Sequence, residues 1–250
     1  MADGGLSRAV HARLLRRDAG VRVFGVRAGA GRLAPPATTE RGLSVDESRL
    51  YLVTPPLSDG AAFAPALESA LSAAPVACLR LRIAADDEAL IRRVADPLRE
   101  ICHSHDVAIV VTDHFRMVRA LGLDGVHLAN PRLNLREVRK TLGADAIVGG
   151  FAGCSRHQGM MLAEAGADYV AFGPVAHSEL GDGQVADENL FAWWSEMITT
   201  PVVAEGGMNI ERAAIFAAHA DFIAVESAVW DHAEGAAAGV RAFSALLDTV

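Results

Sequence analysis

The sequence predicts an α/β protein, specifically a (β/α)₈ TIM barrel, from three observations. Short apolar runs alternate with longer helical patterns from Arg49 to the end of the chain. There are eight of each, and together they take about 200 residues, near the lower end of the size range of such barrels. A doubly wound open sheet would show fewer strands and a Gly-rich first turn, which this sequence lacks. The barrel is therefore the predicted fold.

The eight apolar runs are rich in Val, Ile, Leu and Ala and show little alternation, as expected of strands covered on both faces. The predicted strands are Leu50–Thr54, Val76–Ile83, Val107–Thr112, Gly125–Asn130, Ala146–Ala152, Asp168–Val175, Pro201–Gly207 and Asp221–Val229. Helical spacing between them predicts helices over Ala61–Ala74, Asp87–His105, His114–Leu121, Leu135–Leu142, Arg156–Ala165, Glu188–Thr199, Ile210–Ala220 and Gly235–Thr249. Capping residues such as Asn209 mark several helix starts, and glycines such as Gly143 mark several ends.

The first 48 residues do not follow this alternation. They mix Gly, Ala and Arg with the pair Pro35–Pro36. Terminal segments of such composition are often loosely held. We therefore expect residues 1–48 to be a poorly ordered extension and residues 49–250 to form the barrel.

Composition excludes several classes of protein. The apolar runs are too short for a transmembrane helix, and a net charge of −8 weighs against a nucleic-acid binder. Three cysteines at unrelated spacings do not form a disulfide framework and suit a reducing compartment. We expect a cytoplasmic protein without nucleic-acid or membrane partners. The pair Trp193–Trp194 is consistent with either core packing or a homo-oligomer contact.

Chemistry in such barrels lies at the carboxyl ends of the strands, and the last two strands are each followed by a turn of small residues. Gly206–Gly207 follows the seventh strand, and Ser227 follows the eighth. Turns of small residues at these two places frequently bind a phosphate through backbone N–H groups. The alternative is that the glycines only form a tight turn with positive φ. The interpretation we prefer is a small-molecule phosphate substrate.

From Arg49 onward the chain resembles the thiamine-phosphate synthase and thiazole tautomerase superfamily. The resemblance implies a barrel that holds a thiazole phosphate at the Gly-Gly and Ser-Ala turns. It also implies Mg²⁺-dependent joining of that phosphate to a pyrimidine diphosphate, with release of diphosphate. The residues that carry the resemblance are 50–55 (LYLVTP), 81–82 (LR), 120–128 (ALGLDGVHL), 165–175 (AGADYVAFGPV), 201–208 (PVVAEGGM) and 227–229 (SAV).

Where the family binds its diphosphate, this sequence departs from the pattern. The family's Gln-Leu-Arg-x-Lys is Arg80-Leu81-Arg82-Ile83-Ala84 here, so the lysine is missing. Its Asn-Asp is Thr112-Asp113, which keeps one metal carboxylate, but its second metal aspartate is replaced by Arg132. Its Thr-x-Thr-Lys loop begins at Ser178 and ends at Gly181, again without the lysine.

The resemblance therefore assigns roles residue by residue. It implies catalytic roles for Arg82, Asp113 and Ser178, and Asp113 as the one remaining Mg²⁺ ligand. The predicted substrate-binding residues are Arg80, Thr112, Asn130, His177, Glu205 and Glu226. Each lost electrostatic donor costs on the order of 2.7–4 kcal/mol of barrier. The predicted synthase activity is thus reduced or lost, unless Arg80 and Arg132 compensate for the lysines.

Several alternatives stay open. One is a non-catalytic relative that binds a small ligand, and another is a tautomerase or isomerase that uses Glu205, Glu226 or His177 as acid and base. For the two glutamates we favour an outward orientation, with only their backbone facing the phosphate. We expect His127 to be a hydrogen-bonded core residue. Asp113, His114 and His177 could also meet a transition metal, and Cys154 is the thiol to test for reactivity.

Overall fold

The strands of the protein form a closed parallel barrel in a computed structural model that describes residues 49–84, 86–178 and 180–250. The expected extension, residues 1–48, lies outside the described residues. Each strand pairs with the next along the chain, and the barrel closes where Leu50 of the first strand pairs with Ile223 of the last. The predicted (β/α)₈ fold is confirmed. The strands are β1 Arg49–Val53, β2 Cys78–Leu81, β3 Ala108–Thr112, β4 Gly125–Leu128, β5 Ile147–Phe151, β6 Tyr169–Phe172, β7 Val202–Ala204 and β8 Phe222–Val225.

Helices follow the strands and cover the outside of the barrel. They are α1 Gly60–Leu71, α2 Glu88–Ser104, α3 Val118–Leu121, α4 Leu135–Leu142, α5 Arg156–Glu164, α6 Glu188–Met197, α7 Ile210–Phe216, α8 Ser227–Trp230 and α9 Ala236–Leu247. Side chains of residues such as Asp87 and Asn209 accept backbone N–H bonds at the helix starts, as predicted. In the described residues no helix is long and apolar enough to cross a membrane.

Some predicted boundaries are wrong. The strand predicted over Val76–Ile83 is limited to Cys78–Leu81, and the helix predicted over His114–Leu121 divides into a 3₁₀ turn, Phe115–Met117, and α3. The run Asp221–Val229 is not one strand, because its last part forms α8. An apolar run shows that a segment is buried but not where its backbone changes from strand to helix.

Two apolar layers fill the molecule. Between strands and helices lies the larger layer, in which Trp194 is fully buried against Phe172 and donates its indole N–H to Thr200 O at 2.8 Å. Trp194 is therefore a packing residue. The smaller layer lies inside the barrel and includes Tyr51, Tyr169 and Phe222. Because side chains alternate along a strand, every second residue of each strand enters this interior, including several charged ones.

Candidate active site

A continuous hydrogen-bonded network of side chains crosses the barrel interior and reaches the carboxyl end of β7. Arg80 on β2 contacts His127 on β4, with Nη1 to Nε2 at 2.9 Å. His127 Nδ1 lies 3.1 Å from Tyr169 Oη, and Tyr169 Oη lies 2.9 Å from Tyr51 Oη. On its other side Arg80 Nη2 donates to Glu205 Oε2 at 2.5 Å. All five side chains are buried, so the network joins β1, β2, β4 and β6 to the residue that follows β7.

The chemistry of its members sets the direction of these bonds. A guanidinium can only donate, so Nε2 of His127 accepts and the ring proton must be on Nδ1, which donates to Tyr169. Burial, and then the positive charge of Arg80, lower the pKa of His127 well below its usual value. His127 is therefore a neutral, hydrogen-bonded core residue, as we expected.

Glu205 points into the barrel, which corrects the outward orientation favoured above. Val203, two residues earlier, is an interior residue of β7, so the two-residue period directs Glu205 to the same side. Its side chain is 2% exposed. Burial is the largest single influence and lowers the pKa of Arg80, but the carboxylate of Glu205 together with Tyr51 and Tyr169 outweighs it, so that the pKa is raised above its ordinary value. The two side chains form a buried ion pair.

This pairing removes Arg80 from the surface that a substrate can reach. Its side chain is 8% exposed, and its two terminal nitrogens already contact His127 and Glu205. The expectation that Arg80 replaces a missing lysine at the diphosphate therefore finds no support in the geometry. Arg82, two residues on and just after the strand, is partly exposed.

Arg82 and Glu226 form a second ion pair at the mouth of the barrel, above the first. Arg82 Nη1 lies 2.6 Å from Glu226 Oε1, and the two side chains are 36% and 41% exposed. The backbone N–H of Arg82 also donates to the buried hydroxyl of Thr54 at 2.9 Å. Glu226, like Glu205, thus turns toward the barrel axis, and the outward orientation favoured above is wrong for both.

Beside this pair, two backbone turns present N–H groups at the same end of the barrel. Gly206 and Gly207 both have positive φ, +85° and +70°. A Cβ on Gly206 would lie 2.7 Å from Pro174 Cβ, and one on Gly207 would lie 2.9 Å from Ala176 Cβ. Within the described part of the chain, the backbone N–H groups of these glycines and of Ser227 donate to no protein acceptor. They can therefore bind an anionic ligand.

Asp113 holds the loop that follows β4. It has a positive φ of 61°, and its Oδ1 accepts the N–H groups of Ala129 at 2.8 Å and Asn130 at 3.0 Å. Asn130 Oδ1 in turn accepts the N–H of Arg132 at 3.0 Å. Asp113 thus has a positioning function that the sequence analysis did not foresee, and one carboxylate oxygen of Asp113 remains outside these bonds.

The described residues include no group of three or more His, Cys, Asp or Glu side chains that could hold a metal ion. The meeting of Asp113, His114 and His177 on a transition metal is therefore not supported. A Mg²⁺ centre built on two carboxylates does not fit either, since Arg132 takes the second position and one oxygen of Asp113 is occupied by backbone N–H groups.

The remaining candidates lie around the same mouth. Thr112, at the end of β3, has a buried hydroxyl without a hydrogen-bond partner in the described residues. His177 and Ser178 are exposed on the loop after β6, and Ser178 Oγ accepts the N–H of Leu180 at 3.2 Å. The thiol of Cys154 donates weakly to Gly173 O at 3.6 Å. Burial, followed by nearby aspartates, raises its pKa, so it is not an activated thiol.

Sequence reasoning missed Tyr51 and Tyr169, which continue the polar network into the barrel. A signal was available in β5. Gly149 faces the interior, and a Cβ there would lie 2.0 Å from Tyr169 Cζ. Only glycine leaves room for this ring to reach His127. A glycine inside a strand indicates such a close approach, here by an aromatic side chain.

Comparison with known proteins gives this site a context. The family model described as thiamine monophosphate synthase matches residues 50–229. The chain is 43% identical to thiamine-phosphate synthase of Rhodospirillum centenum over 204 residues, 80% of this chain and 98% of that one. It is 40% identical to the Hyphomonas neptunium enzyme, over 81% and 95% of the two chains. Thiamine phosphate pyrophosphorylase from Pyrococcus furiosus shares the fold, with a TM-score of 0.72 at 22% identity over 82% and 97%. The chain belongs to the thiamine monophosphate synthase family.

Proposed function

We propose that this protein is a thiamine-phosphate synthase that joins a thiazole phosphate to a pyrimidine diphosphate and releases diphosphate. The observation that carries the proposal is the meeting of three features at one mouth. The Gly206–Gly207 turn, the N–H of Ser227 and the guanidinium of Arg82 all lie there. Membership of the family and 43% identity to a synthase of nearly equal length support it further.

In the proposed reaction the thiazole phosphate binds the backbone N–H groups of Gly206, Gly207 and Ser227. The thiazole nitrogen uses its lone pair to form a bond to the pyrimidine methylene carbon. The bond from that carbon to the diphosphate oxygen breaks, and its electron pair leaves with the diphosphate. Positive charge at the mouth stabilises the leaving group, and we assign this role to Arg82 and Arg132.

The other rim residues contribute position more than charge. Asp113 fixes the loop that carries Asn130 and Arg132, so it sets where Arg132 can reach. His177 and Ser178 are exposed on the loop after β6, and we assign them substrate contacts at the mouth. The family resemblance implies Mg²⁺, but because the described carboxylates do not fit a magnesium centre, no step is assigned to the ion.

A second candidate is a relative that binds the same ligands without catalysis. The observation in its favour is that Arg80 on β2 and Arg82, just after β2, already have a carboxylate partner each. Two neutralised cations offer a diphosphate less stabilisation than free ones. The isomerase alternative is weaker, because the carboxylates of Glu205 and Glu226 are each held in an ion pair with an arginine.

The test is a product assay with both substrates, followed by thermal unfolding with each substrate alone. Thiamine phosphate and diphosphate should form together, and each ligand at about a hundred times its Kd should add about 2.7 kcal/mol of stability. Stabilisation without product would support the binder. Neither stabilisation nor product would overturn both candidates.

Two variants of one residue separate position from charge. Asp113→Asn keeps an amide oxygen that can accept the two loop N–H groups, whereas Asp113→Ala removes it. If Asp113 only holds the loop, Asp113→Asn should retain most of the activity and Asp113→Ala should lose it. Equal loss in both variants would show that the negative charge itself is required.

A further inference from the structure

The ion pair of Arg80, on β2, and that of Arg82, just after β2, differ in what a ligand can reach. Arg80 and Glu205 are sealed inside the barrel at 8% and 2% exposure, whereas Arg82 and Glu226 stand open at its mouth. Both pairs are short, at 2.5 and 2.6 Å. Arg82 is therefore a cation that solvent and substrate can reach, but one that already has an anionic partner.

Glu226 also makes no use of its position at the start of α8. The short polar side chains preferred at such a position, those of Asp, Asn, Ser and Thr, accept an N–H of their own helix. Here the Glu226 side chain makes no such bond and turns to Arg82 instead. Its negative charge consequently stands directly before Ser227, at the place where the proposed function puts an anionic substrate.

We infer that Glu226 is a built-in competitor for Arg82, which a phosphate-bearing substrate must displace before that arginine can bind it. The inference rests on the proposed binding of phosphate groups at this mouth. A phosphate group that binds Arg82 replaces the carboxylate of Glu226 as the partner of the guanidinium. It also comes close to the negative charge of that displaced carboxylate. Glu226 thus lowers the affinity of the site for diphosphates and phosphates alike.

The test is calorimetric titration of inorganic diphosphate into the full-length chain, at low ionic strength, for the unaltered protein and Glu226→Gln. Removing the competing charge should tighten diphosphate binding by roughly three- to tenfold, because a half-exposed charge is screened but not abolished. The gain should shrink as potassium chloride is raised toward 0.5 M. At that ionic strength the Debye length is only a few ångströms, so the charge of Glu226 is screened from the bound diphosphate.

Glu100→Gln is the matched control. Glu100 forms an exposed ion pair with Arg99 near the end of α2, which lies at the opposite end of the barrel. The Glu100→Gln variant loses the same charge as Glu226→Gln, and its affinity for diphosphate should stay within about twofold of that of the unaltered protein. In an Arg82→Gln background, Glu226→Gln should give a smaller gain, because only repulsion and no competition is then removed.

An unchanged or weaker diphosphate affinity in Glu226→Gln would overturn the inference. A gain equal to that of Glu100→Gln would also overturn it, because net charge alone would then explain the result. The outcome is separable from the proposed function. If Glu226→Gln binds diphosphate more tightly but no synthase product forms, the inference stands and the proposed reaction is refuted. If product forms but Glu226→Gln does not bind diphosphate more tightly, the proposed reaction stands and the inference is refuted.

Discussion

The buried ion pair between Arg80 and Glu205 predicts a large, non-additive loss of stability when either partner is removed. Glu205→Leu would leave a guanidinium that is 8% exposed without its carboxylate, and Arg80→Met would leave a carboxylate that is 2% exposed without its cation. Breaking a buried pair in this way costs about 3–5 kcal/mol. A domain of this size loses about 2–4 °C of Tm per kcal/mol. Each single variant should therefore melt about 6–20 °C below the unaltered protein.

The double variant, Arg80→Met with Glu205→Leu, should recover most of this loss. It removes both charges together, and replacing a buried pair by apolar side chains of similar volume is often neutral or stabilising. His127 Nε2 would still lose the Nη1 donor at 2.9 Å, which costs about 1 kcal/mol. We expect the double variant to lie within about 2 kcal/mol of the unaltered protein, closer than either single one.

Urea denaturation followed by far-UV circular dichroism measures all four proteins. The m-values should agree, so that differences in midpoint report stability. Single losses below about 1 kcal/mol would show that solvent reaches the pair. Strictly additive losses in the double variant would show that the two side chains do not interact, and would refute the network as described.

Three further predictions follow from single positions. Gly149→Ala should lower Tm by several degrees in thermal melts, because its Cβ would lie 2.0 Å from an aromatic ring. Gly150→Ala is the control, since its Cβ would meet leucine methyls at 3.0 Å. Equal losses of Tm in the two variants would refute the steric argument. Gly207→Ala should abolish thiazole-phosphate binding in calorimetry. Gly183→Ala is the control, because Gly183 also has positive φ but nothing lies within 4 Å of its Cβ. It should cost about 1 kcal/mol of stability and leave binding intact. Because folding lowers the pKa of His127, the unfolded chain binds more protons than the folded chain below about pH 6.5. The free energy of unfolding should therefore fall on acidification, by up to about 1.4 kcal/mol per pH unit. In urea titrations from pH 7.5 to 5 the unaltered protein should lose stability more steeply than His127→Gln, and parallel curves would contradict the prediction.

The two ion pairs also bear on how far this chain can use the chemistry of its family. Arg80 on β2 and Arg82 just after it are both present, but each is matched by a glutamate that follows β7 or β8. The mouth therefore carries less net positive charge than the arginines alone would suggest. Electrostatic stabilisation of a leaving group depends on charge that is not already neutralised. Arg132, exposed on its loop, is the cation on which the proposed reaction depends most.

Much of the fold followed from local patterns. Eight apolar runs separated by helical spacing are enough to predict a barrel, because each strand must be covered on both faces and each helix must bury one stripe. The Gly206–Gly207 turn was also found locally, since glycine adopts positive φ without steric cost. The ends of strands were less certain, and the short α8 was missed, because no local signal separates it from β8.

The orientation and partners of the glutamates could not be found in the same way. The Arg80–Glu205 pair joins residues 125 positions apart, and the Arg82–Glu226 pair joins residues 144 positions apart. Along one strand the inward and outward faces are equivalent until the register of the neighbouring strands is fixed. The sequence by itself determined the barrel, and it supplied the predictions of which end carries the chemistry and which turns bind phosphate. The tertiary structure alone decided which charges meet, because closing the barrel brings strands that are distant in the chain within hydrogen-bonding distance of one another.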